Sequence, residues 1–276
     1  MTLSLDTFLN STRLNKPVGI WLLFWPCAWG LAFAKAPWGY YALFFCGALF
    51  LRSAGCIIND YFDKEFDQKV ERTKNRPFAT GRLSLYEALI YLGILLSGGL
   101  VVLSFLPMRA WVASFAVFPL VILYPLLKRF SNLPQVLLGF IFNIGVIIAW
   151  LSFFSQVENN IIFLYLAGVF WTIGYDTIYG FQDIDDDLKI GVKSTSILAQ
   201  KYPSLIILCL YSVVIFFLSL NVKFSFLSLF MMSCISFLLF KQVFIDFKNK
   251  QQLWNAFFLN TWVGGAITVM LVLQRV

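Results

Sequence analysis

The sequence contains no histidine among its 276 residues. The imidazole that most often serves as a general base, and as a zinc or haem ligand, is therefore absent. Any proton transfer in this protein must use a carboxylate, a tyrosine, the substrate or water. Charged residues are also scarce, at 13% of the chain, whereas soluble domains average about 25%. This shortage excludes an ordinary soluble globular domain.

Cysteine-based sites are excluded by number and spacing. The five cysteines are odd in number, lie in apolar stretches and include no C-x-x-C pair, so neither a disulfide framework nor a zinc site is indicated. We also expect no cleavable signal and no transit peptide, because Asp6, Arg13 and Lys16 interrupt the segment before the first apolar stretch. We therefore expect a protein of the bacterial inner membrane in the form in which it is synthesised.

Long apolar stretches dominate what is present. Hydrophobic residues make up 60% of the chain, and a helix that crosses a bilayer needs about 20 of them in succession. The sequence predicts an all-α, polytopic membrane protein that forms a single domain over residues 1–276. About nine spans are expected, at residues 17–34, 38–58, 86–105, 110–127, 134–154, 160–181, 202–220, 224–240 and 252–274.

The basic residues predict the orientation of these spans. Counted with their flanks, the amino terminus and every second connection carry 17 of the 21 lysines and arginines. The positive-inside rule therefore places the amino terminus in the cytoplasm. The net charge of +7 could also suggest a nucleic-acid partner. Topology explains the basic loops, and no soluble module offers a groove, so we expect the lipid bilayer and no nucleic acid. No obligate protein partner is indicated.

Two clusters of acidic residues lie at the predicted cytoplasmic ends of spans. If the second span continues as a helix, Asn59, Asp63 and Asp67 lie one turn apart on one stripe. Arg52 falls within the same arc of roughly 80°, so these four groups are expected to face one volume.

The second acidic cluster follows the sixth span. Asp176, Asp183 and Asp187 are separated by seven and four residues, which places them within an arc of roughly 40° on a continuous helix. Asp185 and Asp186 point away from this face and are expected to be solvated. A solvated acidic loop explains Asp185 better than it explains Asp176, which lies deeper in an apolar stretch.

So many carboxylates at the end of a membrane helix require a cation. Two carboxylates about 4 Å apart repel each other by roughly 4 kcal/mol at an effective dielectric constant of about 20. Mg²⁺ is typically held by a few carboxylates together with substrate phosphates. The residues therefore predict a magnesium diphosphate between the two acidic clusters, with a long hydrocarbon in the apolar chamber between the helices.

The basic residues near the clusters allow two interpretations: they set the membrane topology, or they contact phosphate. Arg72 and Arg76 follow directly after the first cluster and offer the planar donor fork that suits phosphate oxygens. Tyr124 and Lys128 are four residues apart, so a phenol and an ammonium can converge there. For Arg13 and Arg129 both readings stay open.

The chain resembles the intramembrane aromatic prenyltransferases of the UbiA superfamily over nearly its whole length, most closely the branch that acts on 4-hydroxybenzoate. No single acidic motif would be specific, but the order, spacing and shared membrane face of several motifs are. The resemblance is carried by Arg13–Gly19, the N-D-x-x-D-x-x-x-D segment Asn59–Asp67, Arg72–Pro77, the pair Tyr124 and Lys128 followed by Arg129, Leu133–Gln135, Tyr175–Thr177, and the D-x-x-x-D pair Asp183 and Asp187.

The resemblance implies a bundle of nine helices around a central chamber open to the cytoplasmic side. It implies Mg²⁺ ligands at Asn59, Asp63, Asp67, Asp183 and Asp187. It implies catalytic roles for Asp63, Asp67, Asp183, Asp187, Lys128 and Arg129, and substrate binding by Arg13, Arg52, Asn59, Arg72, Tyr124 and Asp176. Within that set, Arg13, Arg72, Lys128 and Arg129 are expected to hold diphosphate oxygens, and Arg52 the carboxylate of the aromatic acid.

The implied reaction joins a polyprenyl diphosphate to 4-hydroxybenzoate. The diphosphate departs, the ring carbon ortho to the hydroxyl is prenylated and a proton is lost, which is an early step of ubiquinone biosynthesis. Tyr179 occupies a position where many superfamily members carry an amide, which leaves the second metal shell less defined than the first. Two alternatives stay open: a related enzyme with a naphthoquinone, haem O or lipid acceptor, and a membrane transporter or ion carrier.

Overall fold

Twelve α-helices follow one another in the computed structural model, which describes residues 4–127 and 129–274, and these residues contain no β-strand. The all-α prediction is confirmed. The helices are α1 (Leu5–Thr12), α2 (Val18–Phe33), α3 (Trp38–Asp67), α4 (Leu85–Ser104), α5 (Met108–Leu127), α6 (Pro134–Leu151), α7 (Asn159–Gly180), α8 (Ile184–Ile190), α9 (Thr195–Ala199), α10 (Pro203–Ser219), α11 (Phe226–Phe240) and α12 (Lys250–Leu273).

Seven helical stretches in the described part of the chain are long and apolar enough to cross a membrane. They involve α3, α4, α5, α6, α7 with α8, α11 and α12, while α2 and α10 are apolar but shorter. The multi-pass membrane prediction is confirmed. Each of the nine predicted spans coincides with a helix, but nine crossings, and a single domain over residues 1–276, stay predictions.

Helix ends follow local sequence signals. Ser84 caps α4 in a capping box with Glu87, whose carboxylate accepts the Ser84 backbone N–H at 2.9 Å. Pro134 and Pro203 occupy the first turns of α6 and α10, where a missing N–H costs no helical hydrogen bond. The Ser84 cap ends the loop that joins α3 to α4, residues 68–84.

Helix α2 lies at the centre of the bundle and packs against α3, α6 and α12. Its close approach to α6 depends on Gly30, because a Cβ there would lie 2.4 Å from the Val146 carbonyl oxygen. Small residues allow this kind of backbone approach between membrane helices. The Trp29 indole N–H donates to the Gly264 carbonyl at 3.0 Å, which fixes α2 against α12.

A buried polar network joins the second half of the bundle. The Trp171 indole N–H donates to the Asn260 side chain at 2.7 Å, and Asn260 donates to Gln242 at 2.9 Å. The Tyr211 hydroxyl also donates to Gln242, at 2.8 Å. Each donor therefore has an acceptor in an otherwise apolar core, which ties α7, α10 and α12 to the short 3₁₀ turn Lys241–Phe244.

Candidate active site

Helix α3 runs without interruption to Asp67, nine residues beyond the predicted span, which fulfils the condition for a shared stripe. Asn59, Asp63 and Asp67 therefore share one stripe, and all three line a cavity of about 190 Å³ that we call the acidic cavity. The Asn59 side-chain amide donates to Asp63 at 2.9 Å, and the carboxylates of Asp63 and Asp67 are buried. The first acidic cluster is thus one preorganised surface.

The second acidic cluster lies on an interrupted helix. Helix α7 ends at Gly180, a 3₁₀ turn spans Phe181–Asp183, and α8 begins at Ile184. The arc of roughly 40° expected for these three aspartates assumed a continuous helix, and this assumption does not hold after Gly180. Asp176, Asp183 and Asp187 nevertheless line the acidic cavity together with the residues of α3. The two clusters meet across one volume.

The neighbouring aspartates differ in environment. Asp185 is exposed, as expected. Asp186 is only half-buried and accepts the Glu71 backbone N–H at 3.2 Å, because the loop of residues 68–84 folds over the start of α8. The expectation that both are solvated therefore holds for Asp185 alone.

Arg72 joins the two clusters. Its Nε donates to both Asp183 oxygens at 2.9 and 3.0 Å, and its Nη2 donates to Asp183 as well. Its Nη1 donates to the Tyr179 hydroxyl at 2.6 Å, while the guanidinium carbon lies 4.8 Å from the centre of the Tyr179 ring. A residue from the loop after α3 therefore neutralises a carboxylate after α7.

Asp60 is shared by two arginines and was not assigned a role from the sequence. It is 1% exposed, and Arg13 Nη2 reaches both of its oxygens at 2.7 Å. Arg76 Nη1 donates to Asp60 at 3.1 Å and to the two oxygens of Asp67 at 3.0 and 2.9 Å. Burial lowers the pKa of the Arg76 guanidinium, but Asp60 and Asp67 raise it by more, so the pKa lies above its ordinary value. Arg76 stays protonated.

A larger cavity of about 470 Å³ adjoins the acidic cavity. Arg72, Arg76, Asp176 and Tyr179 line both. Apolar and small residues on its other walls, including Ile20 and Phe257, give it the mixed lining of a site for an organic ligand. We call it the acceptor cavity.

Arg52 lines the acceptor cavity and is not among the residues that line the acidic cavity. The expectation that it faces the same volume as Asn59 is therefore wrong, because Arg52 lies roughly 10 Å deeper along α3 than Asn59, the first residue of that helix to line the acidic cavity. The Arg52 Nε is buried without a hydrogen-bond partner among the described residues, and the guanidinium carbon lies 5.4 Å from the centre of the Phe142 ring. Gly19 provides the space, since a Cβ there would lie 2.5 Å from Arg52 Nε.

The remaining predicted residues divide between the cavity walls and the rim. Tyr124 lines the acidic cavity, and Arg13 lines the acceptor cavity. Arg129 lines neither; it is exposed, donates to the Phe62 carbonyl at 3.0 Å and lies over the Phe66 ring. Lys128 lies outside the described residues.

Gln135 also lines the acidic cavity, and its role was not predicted. Its side-chain oxygen accepts the Thr195 backbone N–H at 3.0 Å, which joins the start of α6 to α9. The only available sequence signal was its place in the Leu133–Gln135 segment.

The residues of the acidic cavity suit Mg²⁺ in chemistry. The described residues form no group of three acidic or cysteine side chains close enough to hold a metal by themselves. Mg²⁺ does not need such a cage, since one or two carboxylates, waters and substrate phosphates complete its shell. Each cluster offers at least two carboxylates, and the first adds the oxygen of the Asn59 amide. The fit is that of an ion bound together with a phosphate ligand.

Sequence comparison finds relatives over most of the chain. A family model described as the UbiA prenyltransferase family matches residues 23–262. An Arabidopsis thaliana protein named 4-hydroxybenzoate polyprenyltransferase, mitochondrial, is 45% identical over 69% of this chain and 48% of its own length. A Chromohalobacter salexigens protein named 4-hydroxybenzoate octaprenyltransferase is 38% identical over 93% of this chain and 89% of its own length. The chain spans about half the length of the mitochondrial relatives it matches.

Solved structures share the fold. The apo structure of a UbiA homolog from Aeropyrum pernix K1 matches with a TM-score of 0.78 at 21% identity, over 93% of this chain and 98% of that one. A UbiA homolog from Archaeoglobus fulgidus bound to GPP and Mg²⁺ matches with a TM-score of 0.63 at 16% identity, over 96% of this chain and 99% of that one. At these identities the likeness concerns the fold alone.

Proposed function

The chain belongs to the UbiA prenyltransferase family, and from that premise we propose that it transfers a polyprenyl group from polyprenyl diphosphate to carbon 3 of 4-hydroxybenzoate. The names of its relatives support this acceptor. A single observation carries the proposal: two acidic helix ends line one cavity, which shares a wall with a second cavity lined by an arginine whose Nε is buried. We assign this step to ubiquinone biosynthesis.

The acidic cavity is the proposed diphosphate site. Asn59, Asp63, Asp67, Asp183 and Asp187 would hold Mg²⁺ there, and Asp63, Asp67, Asp183 and Asp187 are the proposed catalytic carboxylates. Bound Mg²⁺ would neutralise the diphosphate and stabilise the negative charge that it gains on departure. The Mg²⁺ in the Archaeoglobus fulgidus structure supports metal dependence.

Arg72 and Arg76 would bind the diphosphate together with these ligands. Each already donates to a carboxylate of the acidic cavity, at Asp183 and Asp67, so the donor groups lie at its edge before substrate arrives. A guanidinium fork fits phosphate oxygens as well as carboxylate oxygens. Arg13, Lys128 and Arg129 are the further proposed diphosphate contacts; of the two described ones, Arg13 reaches the acceptor cavity and Arg129 stays at the rim.

The acceptor cavity is the proposed site of 4-hydroxybenzoate. Arg52 would bind the carboxylate of the acid, since its buried Nε has no other acceptor among the described residues and a carboxylate satisfies it. Asp176 and Tyr124 would contact the phenolic end; Asp176 lies on the wall that the two cavities share. This pose directs the ring towards the diphosphate end.

The reaction then balances without a further reactant. The bond between carbon 1 of the prenyl chain and the diphosphate oxygen breaks, and its electron pair leaves with diphosphate. The ring carbon ortho to the hydroxyl forms the new carbon–carbon bond, and its proton passes to the released diphosphate or to water. Exclusion of bulk water from the apolar walls would protect the allylic cation from hydrolysis.

The proposal includes the setting of the enzyme. We assign the chain to the bacterial inner membrane with a cytoplasmic amino terminus, because most basic residues lie at the end of the bundle that carries the acidic cavity. Both substrates would therefore arrive from the cytoplasmic side.

The test is an assay of membranes that contain the protein, supplied with 4-hydroxybenzoate, a polyprenyl diphosphate and Mg²⁺. We expect 3-polyprenyl-4-hydroxybenzoate, detected by mass spectrometry, and loss of product when EDTA removes the metal. Asp63→Asn and Asp183→Asn should each lower the rate at least about a hundredfold, the scale of one lost charge stabiliser in a transition state. The protein should remain folded in the membrane.

Asp185→Asn is the matched control, since it removes an exposed carboxylate from the same segment. Its rate should stay within a factor of about two of the unmodified protein. Preferred prenylation of a naphthoquinone precursor or haem would contradict the proposed acceptor. Normal rates in Asp63→Asn or Asp183→Asn would contradict the assigned ligands.

A further inference from the structure

A third cavity, of about 370 Å³, lies at the opposite end of the bundle from the acidic and acceptor cavities. It is lined by the last residues of α2 and α12 and the first of α7, including Phe33, Leu271 and Asn160. The acceptor cavity is lined by residues near the opposite ends of the same helices, including Val18, Trp254 and Asp176. The third cavity is therefore separate from the proposed site of prenyl transfer.

Two polar atoms at this cavity lack partners among the described residues. Asn221 is 8% exposed, and its Oδ1 accepts no hydrogen bond from the part of the chain that the structure describes. The Gln274 Nε2 is buried and donates to none of those residues. A buried polar group without a partner is costly, so the pair calls for a ligand that supplies both a donor and an acceptor.

The charged residues around the third cavity indicate which hydrogen-bond acceptor the ligand carries. Lys35 and Lys223 both line it, and none of the described residues that line it is acidic. The Lys223 ammonium lies 3.3 Å from the Gln274 carbonyl oxygen, which holds it beside the unpartnered Gln274 amide. Two ammonium groups and an amide N–H favour an anionic phosphate, and they disfavour a ligand that carries its own ammonium.

The surroundings of the cavity favour a lipid as the source of that phosphate. Phe224 and Phe226 follow Lys223 closely and are 92% and 87% exposed, and Leu220 on the cavity wall is exposed as well. Trp38, three residues after Lys35, is a further exposed aromatic at this end of α3. Exposed aromatic and apolar side chains beside lysines are typical of the interface between headgroups and acyl chains.

We propose that this cavity binds the headgroup of an anionic phospholipid whose phosphodiester carries a hydroxyl group, as in phosphatidylglycerol. Lys35, Lys223 and the Gln274 amide hold the phosphate oxygens, and the headgroup hydroxyl donates to Asn221 Oδ1. The acyl chains lie along Leu220 and the exposed phenylalanines. We call this the lipid cavity.

The experiment is native mass spectrometry of the whole protein released from detergent micelles after incubation with equal amounts of phosphatidylglycerol, phosphatidylethanolamine and phosphatidylcholine. The unmodified protein should retain phosphatidylglycerol in preference to the other two. Lys223→Gln and Asn221→Leu should each reduce the bound phosphatidylglycerol roughly tenfold, the scale of one lost charge-assisted or buried hydrogen bond.

Arg109→Gln is the matched control because Arg109 is an exposed cation in the first turn of α5, at the same end of the bundle and outside the lipid cavity. It should retain phosphatidylglycerol fully. If Asn221→Leu does not fold, Lys223→Gln alone tests the proposal, since replacing an exposed side chain does not disturb the core. Prenyl transfer measured in detergent should be unchanged in Lys223→Gln, which separates this site from the proposed active site.

Three outcomes would overturn the assignment. Equal retention of all three lipids would mean ordinary annular lipid. Equal loss in Arg109→Gln and Lys223→Gln would mean a diffuse charge effect. A rise in melting temperature with soluble glycerol phosphate as large as the rise with phosphatidylglycerol would mean a soluble ligand.

Discussion

At the scale of single residues, Asp60 organises the basic side of the site. It holds Arg13, which follows α1, and Arg76, from the loop after α3, on one buried carboxylate. Neither arginine lies on α3, so their positions depend on this acceptor. A buried carboxylate that accepts hydrogen bonds from two guanidinium groups fixes the orientation of both. Because Arg76 also donates to Asp67, Asp60 helps to hold Arg76 against the acidic cavity. Asp60 is therefore a positioning residue in the proposed mechanism.

Asp60→Asn tests this role. The amide is similar in size but loses the charge that holds both guanidinium groups, so these would lose their fixed position. We expect the KM for polyprenyl diphosphate to rise about tenfold and the KM for 4-hydroxybenzoate to change less than about twofold. Steady-state kinetics with each substrate varied in turn measures both values.

Glu65→Gln provides the comparison for Asp60→Asn, because Glu65 is an exposed carboxylate on the same helix. It should leave both KM values unchanged. An equal rise in both KM values for Asp60→Asn would indicate general damage to the fold instead of a positioning role. An unchanged KM for polyprenyl diphosphate would remove the role altogether.

Arg52 makes a second prediction at this scale. Arg52→Ala removes the proposed partner of the aromatic carboxylate, and we expect the KM for 4-hydroxybenzoate to rise roughly tenfold to a hundredfold. The KM for polyprenyl diphosphate should change little, since Arg52 does not line the acidic cavity. Arg52→Lys should restore part of the loss, because it keeps the charge but not the planar fork.

A phenolic acceptor without a carboxylate gives an independent measurement for Arg52. The unmodified protein should prefer 4-hydroxybenzoate over such a phenol, and Arg52→Ala should lose most of that preference. If the variant kept the full preference, the carboxylate would have to bind elsewhere.

These residues also mark the limit of sequence reasoning at this scale. Asn59, Asp63 and Asp67 could be placed together because four-residue spacing on a helix needs no knowledge of distant contacts. Asp60 projects about 100° away from Asn59 but only about 20° away from Asp67, so it borders the predicted stripe, and the four-residue spacing that defined the stripe passed over it. Its partners come from a turn after α1 and from the loop of residues 68–84, and no local pattern predicts which carboxylate they reach.

At the scale of elements, close helix contacts fix the walls of the cavities. Gly30 on α2 faces the backbone of Val146 on α6, which cannot move as a side chain can. The length of the apolar stretches predicted both helices, since hydropathy depends on the local chain alone. The break of α7 into a 3₁₀ turn and α8 was not predicted, because the segment from Gly180 to Asp187 reads equally well as continuous helix. The contact of Asp186 with Glu71 depends on this break.

Gly30→Ala tests the contact between α2 and α6. The added methyl group would lie 2.4 Å from a backbone oxygen, so the helices must separate. We expect a loss of about 1–3 kcal/mol in the free energy of unfolding, the usual range for an overpacked core. Reversible unfolding in mixed detergent micelles would measure it.

Gly93→Ala is the matched substitution, because a Cβ at Gly93 on α4 meets nothing within 4 Å. It should be neutral or stabilise by up to about 1 kcal/mol, since alanine favours a helix more than glycine does. Equal stability of the two variants would mean that α2 and α6 do not approach as closely in the membrane as described here.

At the scale of the whole molecule, the site exists because two distant parts of the chain cover the same end of the bundle. Alternating topology and the positive-inside rule predicted that both acidic clusters lie at one membrane face. Their convergence on one cavity depends on α3 and α7 facing each other across it, which hydropathy does not encode. The loop of residues 68–84 completes the site by reaching Asp183 through Arg72 and Asp186 through Glu71.

A cysteine pair tests this convergence in the membrane. The Glu71 backbone nitrogen lies 3.2 Å from the Asp186 carboxylate, so Glu71→Cys with Asp186→Cys should form a disulfide under mild oxidation. We expect most of the protein to cross-link, detected by mass spectrometry of the digested chain.

The pair Glu71→Cys with Arg109→Cys should not cross-link, since the 20 residues of α4, about 30 Å of helix, separate these positions. Because neither Glu71 nor Asp186 is a proposed ligand, reduction of the disulfide should return full prenyl transfer. Failure of the first pair to cross-link, or equal cross-linking of both pairs, would mean that the loop after α3 does not close over α8, and the shared diphosphate site would lose its structural basis.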